Sequence, residues 1–114
     1  MTWSGQAQFQ NLTIVAAADI TTSYLSAVTI SSPAVMIAVK NGTNGDVLFS
    51  FDKTNAKWGF PSLSGTAYDI RTNSPTTSNL MLPANTNLSI KWNGSAPVSP
   101  SGNLYIEIME VQIA

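Results

Sequence analysis

The sequence contains neither cysteine nor histidine, and the two absences together remove most enzyme chemistry. Without a thiol there is no disulfide framework, no thiolate metal site and no cysteine nucleophile. Without an imidazole the common nucleophile–base pairs and nearly all zinc sites are excluded as well. Charge is also scarce: 10% of residues are charged, where about 25% is usual for a globular domain. The formal net charge of −1 creates no long-range field to draw in nucleic acid or an anionic membrane surface, so neither is expected as a partner. No apolar run approaches the roughly 18 residues of a membrane span. The opening Met1-Thr2-Trp3-Ser4-Gly5-Gln6 lacks the basic region and apolar stretch of a signal peptide, and a soluble protein made in the cytoplasm is expected. Helical periodicity is missing too, because apolar residues nowhere keep the i, i+3, i+4, i+7 spacing over three turns.

In place of charge stand small polar residues. Ser, Thr and Asn fill 36 of the 114 positions, a bias that suits solvent-facing strand positions and turns. The chain is of one-domain length, able to bury about two-thirds of its unfolded surface in a single core. A near-neutral surface with few charges has weak colloidal protection and is easier to understand if neighbours cover much of it. Four Asn-x-Ser/Thr sequons, at Asn11, Asn41, Asn87 and Asn93, are what chance produces in this composition.

Apolar residues recur with period two. From Asn87 to Asn93, Leu88, Ile90 and Trp92 alternate with polar residues, and Asn93-Gly94 follows as a turn. Ala34 to Val39 is apolar on both faces, as a central strand or one under an interface would be. The two Asn-Gly pairs in Asn41-Gly42-Thr43-Asn44-Gly45-Asp46 predict a hairpin joining Ala34–Lys40 to Val47–Asp52. Further strands are expected at 6–15, 24–30, 66–71 and 103–113. In the last of these the apolar phase passes from Leu104, Ile106 and Ile108 to Met109, Val111 and Ile113, which predicts a β-bulge or a bend near Ile108-Met109. The first strand shows the same offset between Phe9 and Leu12, so the two terminal strands either pair or cross between sheets. Residues 1–114 are thus expected to form one all-β, antiparallel, jelly-roll-like sandwich of about seven or eight strands with almost no helix, residues 1–5 being a candidate N-terminal arm.

Candidate chemistry is thin. Asp19, Asp46, Asp52, Asp69, Glu107 and Glu110 are the carboxylates, and a glycosidase needs two facing each other across a cleft. Glu107 and Glu110 differ in strand parity and would point to opposite faces of a regular strand. The Asn41–Asp46 segment loosely resembles a calcium loop but lacks its dense carboxylates and terminal Glu. No catalytic residue, metal or cofactor is expected. The segment from Lys53 to Leu63 reads as a loop, yet it carries Trp58 and Phe60. These two either cap the open end of the sandwich or form an exposed anchor for a protein neighbour or a sugar ring. Trp3 poses the same choice, as a docking arm or as local packing.

Several segments together resemble the small β-sandwich virion proteins of tailed bacteriophages. They are Pro33 to Asn41, Asp46 to Asp52, Tyr68 to Asn73, Leu82-Pro83-Ala84-Asn85 leading into Leu88 to Lys91, and Gly102 to Glu107. Their order spans residues 23 to 108, although Asn85 replaces a Gly of the family pattern and the Trp58–Phe60 region is richer in aromatics. The resemblance implies a non-enzymatic particle component, such as a capsid decoration or minor head or tail subunit. It would be a homo-oligomer that binds major capsid or tail proteins through candidate contacts at Trp3, Trp58 and Phe60. A carbohydrate- or receptor-binding module on a phage tail is the alternative. If residues 1–5 are a docking arm, deleting Met1–Gly5 will weaken incorporation into particles, and unchanged incorporation would refute the arm.

Overall fold

The computed structural model describes residues 6–69 and 84–112. Nine strands form two antiparallel sheets: β1 Gln6–Phe9, β2 Thr13–Ala16, β3 Leu25–Thr29, β4 Ala34–Asn41, β5 Val47–Ser50, β6 Trp58–Phe60, β7 Ser64–Asp69, β8 Asn87–Trp92 and β9 Asn103–Gln112. One sheet has the order β1-β9-β4-β7, with β2 pairing on β9 as well, and the other has the order β3-β8-β5-β6. Both β1 and β2 pair with β9, so they are two halves of one interrupted strand. Counted that way, eight strands form two four-stranded layers in the order of a jelly roll, successive strands changing layer except at the β5–β6 hairpin. The only helical element among the described residues is a 3-10 turn at Ala17–Asp19.

Alternation in the strands builds the core. Leu88, Ile90 and Trp92 of β8 point inward and are essentially inaccessible, facing Ile37 and Val39 of β4 and Leu104, Ile106 and Ile108 of β9. Trp92 also satisfies its polar atom, donating its indole N–H to the Ile20 carbonyl at 2.9 Å. β4 lies between β9 and β7, the interior position that its two apolar faces imply. The turn at Asn93-Gly94 forms, with Gly94 at φ 86. Asn85 stands at φ 70, a conformation Asn accepts more readily than most side chains. Its N–H donates to the Ile30 carbonyl at 2.6 Å while the Ile30 N–H donates to the Thr86 carbonyl at 2.8 Å, which ties the turn to the end of β3.

The hairpin expected between Ala34–Lys40 and Val47–Asp52 does not exist. β4 pairs with β7 and β9, whereas β5 pairs with β6 and β8 in the opposite sheet. A type I′ hairpin turn needs two residues at positive φ, and Asn41, Gly42, Asn44 and Gly45 all stay out of that region. The glycines serve close approach instead: a Cβ on Gly45 would lie 2.8 Å from the Trp92 ring, and one on Gly42 would lie 2.7 Å from the Asn103 carbonyl. The segment crosses between sheets, and the fully buried Asn41 side chain holds the crossing. Its amide nitrogen donates to the carbonyls of Gly45 at 3.0 Å and Phe60 at 2.9 Å, while its oxygen accepts the Thr43 N–H at 3.0 Å.

The irregularity expected near Ile108-Met109 is found in the pairing there, but the extra residue does not lie on the last strand. Leu104, Ile106, Ile108 and Glu110 of β9 are all buried and keep one inward phase. The irregularities sit on its neighbours. Phe9 pairs with Met109 but Thr13 with Ile106, leaving one extra residue on the first strand. On β4, Ala34 pairs with Glu110 and Met36 with Met109, leaving Val35 in excess. An inward-facing Glu is what broke the apparent phase. Glu110 is tolerated there because its Oε2 accepts the Ser31 hydroxyl at 2.9 Å and the Ser32 N–H at 3.2 Å.

Replacing Asn41 by Ala strands the carbonyls and amide it serves in a dry interior. We expect a loss of about 1–3 kcal/mol in urea unfolding, and a smaller loss, on the order of 0.5–1 kcal/mol, for Asn44→Ala, whose hydrogen bonds to Ser99 and Ser101 are solvent-exposed. Equal effects of the two substitutions would contradict the role given to the Asn41 amide.

Candidate functional site

Residues paired directly across antiparallel strands share a face, so the register defines the outer surface of the five-stranded sheet. One row runs Ile14, Tyr105, Lys40, Gly65, the next Glu107, Ala38, Ala67, and a third Phe9, Met109, Met36, with Asp69 at the register position beyond it. Phe9, Ile14 and the adjoining Leu12 are 57%, 55% and 50% exposed. Scattered exposed apolar residues are ordinary, but a contiguous apolar sheet face marks a contact surface. Two hollows indent it: one of about 670 Å³ bordered by Ala38, Lys40, Tyr105, Glu107 and Leu63, and one of about 270 Å³ among Phe9, Gln10, Leu12 and Glu107. Leu63, 81% exposed, stands at the rim with φ 61. A bulky side chain rarely adopts that conformation, and holding it there stores strain on the order of 1–3 kcal/mol.

Trp58 and Phe60 lie on strand β6 rather than in a loop, paired with Phe49 and Val47 respectively. A three-residue strand with Gly59 at its centre is too short to show a period, which is why the segment reads as a loop in the sequence. Phe60 is a core residue, 6% exposed, its ring edge-on to Phe49 at 5.1 Å. Trp58 is half-buried and edge-on to Phe51 at 5.5 Å. Trp3 lies outside the described residues. The candidate aromatics therefore sit at the edge of the second sheet, whereas the apolar outer face consists of residues that the sequence reading did not single out. The both-sided apolarity of β4 was the signal for that face.

The carboxylates do not converge. Glu107 faces outward and Glu110 inward, and among the described residues no three His, Cys, Asp or Glu side chains cluster as metal ligands would. The oxygens of the calcium-like segment are engaged within the protein. Asn44 Oδ1 accepts the Ser101 N–H at 3.0 Å and Asp46 Oδ1 the Ser62 N–H at 2.9 Å. Asp52 organises its own turn. Its Oδ1 accepts the N–H groups of Asn55 at 2.8 Å and Thr54 at 2.9 Å and the Ser50 hydroxyl at 2.8 Å. These donors, the Asn55 amide foremost, favour the ionised form and hold the carboxyl well below the usual carboxylate range.

No protein-family model, curated protein or solved structure matches the chain.

Because the folded Asp52 pKa is depressed, the turn is supported by the carboxylate above the unfolded value and loses that support only as pH falls through the folded one. In an NMR titration the Asp52 carboxyl midpoint is expected below the ordinary value of about 3.9, with the Thr54 and Asn55 amide shifts following the same midpoint. A midpoint at or above the ordinary value would overturn the assignment.

Proposed function

We propose that the protein is a non-enzymatic structural subunit of a tailed-phage particle, a capsid decoration or minor head or tail component, that assembles through protein–protein contacts. The observation that carries this reading is the apolar outer face of the five-stranded sheet, where Phe9, Leu12 and Ile14 stand half in solvent. The jelly-roll strand order supports it, since that architecture recurs in viral shells. The low charge of the chain supports it as well: the charged register positions of the face are Lys40, Glu107 and Asp69, few for a sheet of this size, so a neighbouring subunit meets little repulsion. Mechanism here is burial of apolar surface, at about 25 cal/mol per Å². Repetition around a symmetric particle then multiplies a modest single contact by avidity.

The alternative, a carbohydrate- or receptor-binding module, draws on one observation. The hollow of about 670 Å³ brings Tyr105, Lys40 and Glu107 together, an aromatic ring flanked by a donor and an acceptor. Trp58 and Phe60 contribute nothing to it.

Light scattering across a concentration series separates the two readings. Assembly through this face predicts a mass that is a multiple of 12.1 kDa and collapses to the monomer in Phe9→Lys/Ile14→Lys, with unfolding still cooperative. A monomer at every concentration that also fails to bind isolated phage particles would refute the assembly reading. A monomer that binds glycans and loses them in Tyr105→Ala would establish the alternative.

A further inference from the structure

The edge strands β6 and β7 lie on the same side of the sandwich, one in each sheet. Register places Thr66 of β7 opposite Val39, and Trp58 of β6 opposite Phe49. Val39 and Phe49 are core residues at 3% and 1% exposure, so Thr66 and Trp58 also face inward. In a closed sandwich such positions are covered. Here Thr66 is exposed and Trp58 only half-buried, because a cavity of about 410 Å³ opens between the two edges. Its floor and walls are Ile37, Val39, Trp58 and Phe60, with Thr66 and Lys57 at the rim. The volume is within the range of small-molecule sites, about 300–1,000 Å³.

The lining selects the chemistry of an occupant. Among the described residues it holds no carboxylate, and Lys57 is the charged side chain there. That ammonium makes no ion pair with a described residue. A sugar would find few polar partners among the described lining residues, and an added peptide strand would pair along the outside of a sheet edge rather than enter between the sheets. A narrow apolar slot with one cation at its mouth fits an apolar tail bearing one negative head.

We propose that the slot between β6 and β7 binds a single-chain amphiphilic anion, its hydrocarbon lying over Ile37, Val39, Trp58 and Phe60 and its head group pairing with Lys57. The slot shares Val39 and Thr66 with the larger hollow, but Ile37, Trp58 and Phe60 belong to it and not to that hollow, so decanoate binding is tested independently of the assembly reading.

Calorimetric titration of the full chain with decanoate, below its micelle-forming concentration, tests this. Saturable binding is expected, weakening about fourfold for each methylene removed on going to octanoate. Decylammonium, with the same tail and the opposite head, binds more weakly than decanoate, and Lys57→Gln reduces decanoate affinity roughly two- to fivefold, the scale of an exposed ion pair. Thr66→Trp fills the mouth from an exposed position and abolishes binding while thermal unfolding stays cooperative. If that variant does not fold, Lys57→Glu at the rim serves instead, and it must reverse the preference between decanoate and decylammonium. No saturable binding, equal affinity for the two heads, or undiminished binding in a folded Thr66→Trp protein would each overturn the proposal.

Discussion

The buried amide of Asn41 holds the point at which the chain leaves one sheet for the other, and much of the architecture follows from that crossing. A segment that crosses between sheets cannot satisfy its backbone through strand pairing, and buried carbonyls without partners are costly. Asn41 answers by donating to the carbonyls of Gly45 and Phe60, joining the crossing to the end of β6. Gly42 N–H continues the ladder onto the Asn103 carbonyl at 2.9 Å, tying the same point to the start of β9. With the crossing held, β5 enters the second sheet beside β8, β6 folds back on β5, and Trp58 and Phe60 arrive opposite β7. The slot between the two edge strands is a consequence of where this one side chain sends the chain.

β9 is the complementary constraint. It pairs with β1, β2 and β4 and so joins the first strand of the chain to the middle of its sheet. It stays regular while both neighbours carry an extra residue, which keeps Leu104, Ile106 and Ile108 in one inward row. The neighbours' irregularities lie beside Met109 and Phe9, at one end of the apolar outer face. β-bulges of this kind twist and re-aim strands at sheet edges. Here they bring Phe9, Leu12 and Ile14 onto a surface that is half exposed and poor in charge. Two surfaces result: an apolar outer face on the five-stranded sheet, and an inter-sheet slot with Lys57 at its rim.

The positions at which the sequence misled are informative because each involves a polar side chain placed against its usual preference. Asn-Gly ordinarily signals a hairpin, yet Asn41 is a buried connector and Gly42 and Gly45 are small because carbonyl and indole groups come close. Glu110 ordinarily signals a solvent face, yet it points inward and accepts two hydrogen bonds from Ser31 and Ser32, residues 78 and 79 positions away. Thr66 carries the inward parity of Val39 while remaining exposed. None of these roles is visible locally, because each depends on a partner supplied by a distant strand.

By itself the sequence determined that the fold is all-β and antiparallel, that Leu88, Ile90 and Trp92 face a core, that β4 is an interior strand, and that the chain has no thiol or imidazole chemistry. These follow from composition and from a side-chain period of two, which are local properties. Only the tertiary structure decided which strands pair, that Ala34–Asn41 and Val47–Ser50 belong to different sheets, that Trp58 and Phe60 form a strand, and which face of the five-stranded sheet is left apolar and open. Pairing between strands far apart in the chain is chosen by long-range packing and by the need of buried polar groups for partners, and neither is written in the order of neighbouring residues.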